Sequence, residues 1–140
     1  AAVAAGLFGD RFRSSRVVTF SFVIMLASSL TFALTTPSKS LAWLLIANAS
    51  FGAIAIFGVR GIYFALFGEA KVPTAVTGTA VGFVSVVGYT PDIFVSYAQG
   101  RFLDATPGVG GHQDFYLFLA VFAFVGLLAS IAFSLVCRRD

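Results

Sequence analysis

Of the chain's 140 residues, 59% are hydrophobic and only 11% charged, whereas a soluble domain carries about a quarter charged residues. That composition, with 17 Phe, places the chain in a bilayer and argues against a soluble globular domain. The net charge of +3 comes without a basic patch interleaved with aromatics, so nucleic acid is not an expected partner. A single cysteine, Cys137, excludes an intrachain disulfide.

The chain opens AAVAAGLFGD, with neither Met nor a basic leader. Its first eight residues read as the end of an apolar helix, and the whole sequence as a fragment. A polar loop at 9–16 follows, carrying Arg11, Arg13 and Arg16. The first full crossing is predicted at 17–36, about 20 residues without a charge, its Ser and Thr hydroxyls able to bond back to helix carbonyls. Pro37 ends it. A second crossing at 41–67 starts near Trp43, an interfacial residue, and contains Arg60. A turn carrying Glu69, Lys71 and Pro73 leads into a third crossing at 74–97.

On the third crossing Thr74, Gly78, Gly82, Ser85, Tyr89, Asp92 and Ser96 recur every three or four residues, one stripe of an α-helix. Lipid gives no reason to gather polar groups on one face, so that face is expected to meet protein or water. An external loop is predicted at 98–114, then a fourth crossing at 115–137. The fold class is thus all-α, a polytopic transmembrane bundle of four crossings plus the stub of a fifth. Antiparallel crossings put six basic residues (Arg11, Arg13, Arg16, Lys71, Arg138, Arg139) on one side and only Lys39 and Arg101 on the other. The positive-inside rule makes the first side, and the C-terminus, cytoplasmic.

The run Gly6, Leu7, Phe8, Gly9, Asp10, Arg11, Phe12, Arg13, Ser14, Ser15, Arg16 resembles the loop motif of major facilitator superfamily transporters, G-x-x-x-D-R-x-G-R-R/K-R/K. Gly6, Asp10, Arg11 and Arg16 match; Arg13 replaces a glycine, and Ser14 and Ser15 replace basic positions. The runs 60–66, 77–82 and 88–92 are similar to the YihN-like bacterial members. The resemblance implies helices nine to twelve of the fold, a missing N-terminal half as partner, and a location in the cell's inner membrane. It also implies a gating latch through Gly6, Asp10, Arg11 and Arg16; a loop that merely holds topology and touches anionic lipid is the plainer alternative.

Several residues carry candidate roles. Asn48, Arg60 and Tyr63, with Gly52, fall within roughly 120° of arc on the second crossing and form a candidate solute-binding surface. Arg60 would attract an anion through its fork of donors, or else snorkel to the membrane boundary. Asp92, one residue past Pro91, is a candidate proton carrier, or else a rim carboxylate bonded to Arg101 or a helix end. With the outer helix ends level, Arg60 and Asp92 stand roughly 20 Å apart, which argues against a direct salt bridge. Gly78 and Gly82 form a GxxxG that, with Ser85 and Tyr89, is expected to pack a neighbouring helix or to slide against it. Gly126, Ser130 and Ser134 form a weaker small-residue row.

The run Gly108, Val109, Gly110, Gly111 lacks the setting of a phosphate loop. His112 has no second ligand at metal spacing, and no catalytic set is present, so neither a metal, a cofactor nor an enzymatic reaction is expected. The functional expectation is a proton-coupled secondary transporter moving a small polar or anionic solute by alternating access. The alternative is a membrane scaffold or sensor with the same fold that transports nothing.

Overall fold

The computed structural model describes residues 14–137, and all of its regular structure is helical. Helix α1 spans Ser14–Leu34, α2 Ala42–Ile62, α3 Ala65–Glu69, α4 Thr74–Ala105 and α5 Val109–Val136, with a single 3-10 turn at Lys39–Leu41. Four of these helices, all but α3, are long and apolar enough to cross a membrane.

The helix limits depart from the sequence expectation in two places. The second crossing stops at Ile62, and the remainder of 41–67 folds into the short α3. A Schellman motif closes α3: Val72 N–H donates to the Phe67 carbonyl and Lys71 N–H to that of Gly68, with Lys71 at a left-handed φ of 52°. The larger departure is the loop expected at 98–114, of which only 106–108 remains. The polarity of Gln99, Arg101 and Asp104 suggested a loop, yet nothing before Pro107 breaks the helix, since one Gly costs only about 1 kcal/mol in a helix interior. The break comes where Pro107 is followed by Gly108, whose φ of 92° suits glycine. Gly111 completes the tight turn, because a Cβ there would run into the carbonyls of Thr106 and Phe102.

Pro91 lies inside α4 without ending it. Pro lacks an N–H, so the rung to the Val87 carbonyl is missing, but the helix continues on both sides.

Helix α1 is the hub. It packs most extensively on α5 and next on α2, while α4 leans on α5. The α1–α5 contact is built from small residues and rings. Ser130 Oγ donates to Thr19 Oγ1 at 3.1 Å, and Phe32 stacks on Tyr116 with centroids 4.6 Å apart. Gly126 lies against the Phe22 ring, where any Cβ would clash. The row of Gly126 and Ser130 is therefore a working packing seam, as small residues allow where lipid offers no hydrophobic drive. Hydroxyls of Thr19, Thr31, Ser50, Thr77 and Thr90 bond the carbonyl four residues back, as expected in an apolar setting.

Core burial is slight: Val18, Ala55, Ile62, Phe115, Ala120 and Ala123 are the buried apolar residues among those described. Phe20, Leu34, Trp43, Phe83 and Ile93 stand outside, an arrangement suited to acyl chains.

Candidate functional site

Helices α2 and α4 meet through one polar pair. Arg60 Nη2 donates to Asp92 Oδ2 at 3.2 Å, forming a salt bridge. This overturns the expectation that the two residues stand too far apart. The earlier register levelled α2 with a helix ending at 97, but α4 runs on to Ala105. Levelling Ala42 with Ala105 sets Arg60 opposite Val87, five residues or about 7.5 Å from Asp92 at 1.5 Å per residue. An arginine side chain spans that gap. Asp92 bonds to Arg60, and not to Arg101 or a helix end.

Within this chain the pair is half open, with the Arg60 side chain 52% and the Asp92 side chain 63% exposed. Only one Arg60 nitrogen holds Asp92, which leaves other donors of the guanidinium fork to be used. The guanidinium carbon also lies 5.7 Å from the centroid of the Tyr89 ring, within cation–π range. Arg60, Tyr63 and Tyr89 line a cavity of about 300 Å³, walled by Phe22, Val59, Val84 and Gly88. A guanidinium and two phenols thus bring hydrogen-bond donors to an otherwise apolar hollow.

Asn48, predicted beside Arg60, belongs elsewhere. Its Nδ2 donates to the Ser28 carbonyl at 3.1 Å, and Ser28 Oγ donates to the Asn48 carbonyl at 3.3 Å. Gly52, one turn on, lets the helices close, since a Cβ there would lie 2.7 Å from Ser28 Oγ. Asn48 and Gly52 therefore join α2 to α1, and Asn48 is not among the residues lining the Arg60 cavity. A helix arc of 120° was wide enough to include two different neighbours.

Tyr89 was singled out for packing and instead touches the candidate site. Among the described residues nothing lies within 4 Å of a Cβ built on Gly78 or Gly82, and no residue of α4 is buried. Their face meets no other described helix, and Ser85 on the same stripe is only partly covered. Of the proposed gating residues, Gly6, Asp10 and Arg11 lie outside the described residues. Arg16 is exposed on the first turn of α1.

One functional-looking contact was not anticipated. The Glu69 carboxylate accepts from Ser15 N–H at 2.9 Å through Oε2 and from Ser15 Oγ at 2.6 Å through Oε1. It caps the start of α1, where the helix has unsatisfied N–H groups and a positive dipole end. No sequence spacing links positions 15 and 69; the signal available was an acid in a short turn on the same side as a helix start. Among the described residues no group of three His, Cys, Asp or Glu side chains could hold a metal ion. His112, expected in a loop, is exposed on the first turn of α5.

Comparison with known proteins returns relatives in bacterial inner membranes. No protein-family model matches the chain, and no solved structure matches it. The chain is 32% identical over 130 residues to the inner membrane protein YihN of Escherichia coli K12, which covers 90% of this chain and 30% of that protein. It is 38% identical over 61 residues to the inner membrane protein YqcE of the same organism, 44% of this chain and 14% of the relative. The chain thus spans under a third of the curated relatives it matches. It is a multi-pass helical membrane protein homologous to inner membrane proteins of Escherichia coli.

Proposed function

We propose that this chain supplies helices of a major facilitator superfamily transporter, corresponding to helices nine to twelve, and that the whole protein moves a small polar or anionic solute by alternating access. The observation that carries this reading is the Arg60–Asp92 pair, set beside a cavity between two membrane-length helices. Ionisable groups in membrane helices are costly to place in hydrocarbon, so they mark solute or ion pathways. The loop motif ending at Arg16 and the kinship with inner membrane proteins support the same reading. The apposing half, carried by the rest of the polypeptide, covers the face of α4 that holds Gly78 and Gly82. Sliding of that half past a side-chain-free strip accompanies rocking of the two halves.

The test is solute flux through the full-length protein reconstituted in sealed vesicles, under imposed proton and sodium gradients. Uptake that is driven by a gradient and lost in Arg60→Gln supports the reading. Absence of flux under every gradient, with a ligand-dependent conformational change retained, would point to a sensor that keeps the fold and transports nothing.

A further inference from the structure

We propose that the groove between α1 and α5 headed by Arg16 binds one anionic phospholipid, its phosphate on the Arg16 guanidinium and an acyl chain along the groove. The site is separate from the Arg60 cavity, and it does not depend on whether the protein transports a solute.

Counted along the sequence, the surplus charge belongs to one end of the helices. Arg11, Arg13 and Arg16 lie around the start of α1, Lys71 follows α3, and Arg138 and Arg139 follow α5. The bond from Ser15 to Glu69 brings α3 to the start of α1, and Arg16 shares a groove with Leu135 near the end of α5. Against those six basic residues stand only Asp10, Glu69 and Asp140. Lys39, Arg60 and Arg101 are matched by Asp92, Asp104 and Asp114, so the whole net charge of +3 falls at the Arg16 end. Each basic residue near a membrane surface raises affinity for acidic lipid by about fivefold.

Arg16 turns that diffuse attraction into a site. It is exposed on the first turn of α1, and among the described residues no hydrogen bond or ion pair engages its side chain. Its planar fork of donors matches two oxygens of a phosphate. Beside it a groove of about 290 Å³ runs between the helices, walled by Phe20 and Val23 of α1 and by Ile131, Ser134 and Leu135 of α5. From Arg16 to Val23 is about 10 Å along the helix, room for the upper part of an acyl chain.

The groove lies on the face of the α1–α5 pair that α2 and α4 do not cover. On α1, Arg16, Phe20 and Val23 lie about 180° around the helix from Met25, Ser29 and Phe32, which share a cavity with Ala49 and Gly52 of α2. On α5, Ile131 and Leu135 turn away from Phe118 and Phe122, the rings that meet α4. Phe20, Val23, Ile131 and Leu135 are all exposed. A cation at the head of an apolar trough has the pattern of an amphiphile. A soluble anion would leave the trough empty, and an apolar segment of polypeptide would leave the guanidinium unpaired; an acidic phospholipid satisfies both.

The test is photolabelling of full-length protein in phosphatidylcholine nanodiscs that contain phosphatidylglycerol with a photoactivatable acyl chain. Label is expected in peptides covering 16–23 and 131–135, and unlabelled phosphatidylglycerol should compete where added phosphatidylcholine does not. Arg16→Gln should lower groove labelling about fivefold or more. Val23→Trp, which fills the groove at unchanged charge, should lower it as well, whereas Lys39→Gln at the other end should not. A wild-type thermal transition in phosphatidylcholine shows that each variant is folded. Label spread evenly over the exposed apolar faces, equal labelling by a phosphatidylcholine probe, or labelling that survives in Arg16→Gln or Val23→Trp overturns the proposal. So does an unlabelled groove in wild type, the result if another segment of the polypeptide covers it. Competition by glycerophosphoglycerol, the headgroup without chains, as effective as that of the lipid makes the site one for a soluble anion and also overturns it.

Discussion

Ser15 and Glu69 are 54 positions apart, yet both oxygens of the Glu69 carboxylate are held by Ser15, one by its backbone N–H and one by its hydroxyl. The contact joins the α2–α4 connection to the start of α1. Ser15 is 2% exposed, so water competes poorly for its donors. A hydrogen bond to a charged group contributes about 1.5–3 kcal/mol. Glu69→Ala is expected to destabilise the folded protein by about 2 kcal/mol. Glu69→Gln, which keeps one acceptor, should lose less. Thermal unfolding of the full-length protein in detergent measures both.

Asn48 is expected to matter for stability and not for solute affinity. Interhelical side-chain hydrogen bonds in membranes average about 0.6 kcal/mol and reach about 1.7. Asn48→Ala should cost an amount in that range by removing the bond to the Ser28 carbonyl. Its apparent affinity for any transported solute should match wild type, in contrast with Arg60→Gln. An affinity loss in Asn48→Ala at unchanged stability would return Asn48 to the solute path.

The two small-residue rows should respond differently to added methyl groups. Gly126→Ala forces a Cβ into the Phe22 ring and should destabilise by about 1–3 kcal/mol, the usual range for overpacking. Shrinking the obstacle with Phe22→Leu should recover part of that loss, which a double-mutant cycle reads as coupling. Gly82→Ala meets nothing among the described residues and should leave the unfolding midpoint unchanged or slightly raised. Its effect, if transport is as proposed, falls on turnover.

Gly108 should tolerate no side chain without strain. At a φ of 92° and a ψ of −146° the backbone lies in a region nearly restricted to glycine, so Gly108→Ala should lower stability by about 1–3 kcal/mol. Comparison with Gly100→Ala is the control, since Gly100 sits within α4 with open space around it and should gain slightly.

The presence of four membrane-length helices was legible because each holds a long apolar run with few charges, and hydrophobicity over about 20 residues admits few other structures. The ends were harder to read. Gln99, Arg101 and Asp104 are polar, but polarity marks where a helix leaves hydrocarbon, not where its hydrogen bonding stops; Pro107 and Gly108 mark that. The same eight residues decided the site. Shifting the end of α4 from 97 to 105 slides Asp92 towards Arg60, so an error in one boundary became an error in a salt bridge. Arg60, Tyr63 and Asp92 were legible as chemically unusual residues in apolar surroundings. Which of them share a cavity depends on register and on helix neighbours, and a single helical wheel holds neither: Asn48 went to α1 and Tyr89 came to the site.

Among the described residues, the bond from Arg60 is the one side-chain hydrogen bond tying α4 to another helix. A rod of 32 residues, about 48 Å long, packs on α5 through its rings and is tied to α2 along its middle by a single guanidinium. Whatever occupies that guanidinium also decides whether the rod is tethered to α2 or left to swing with α5.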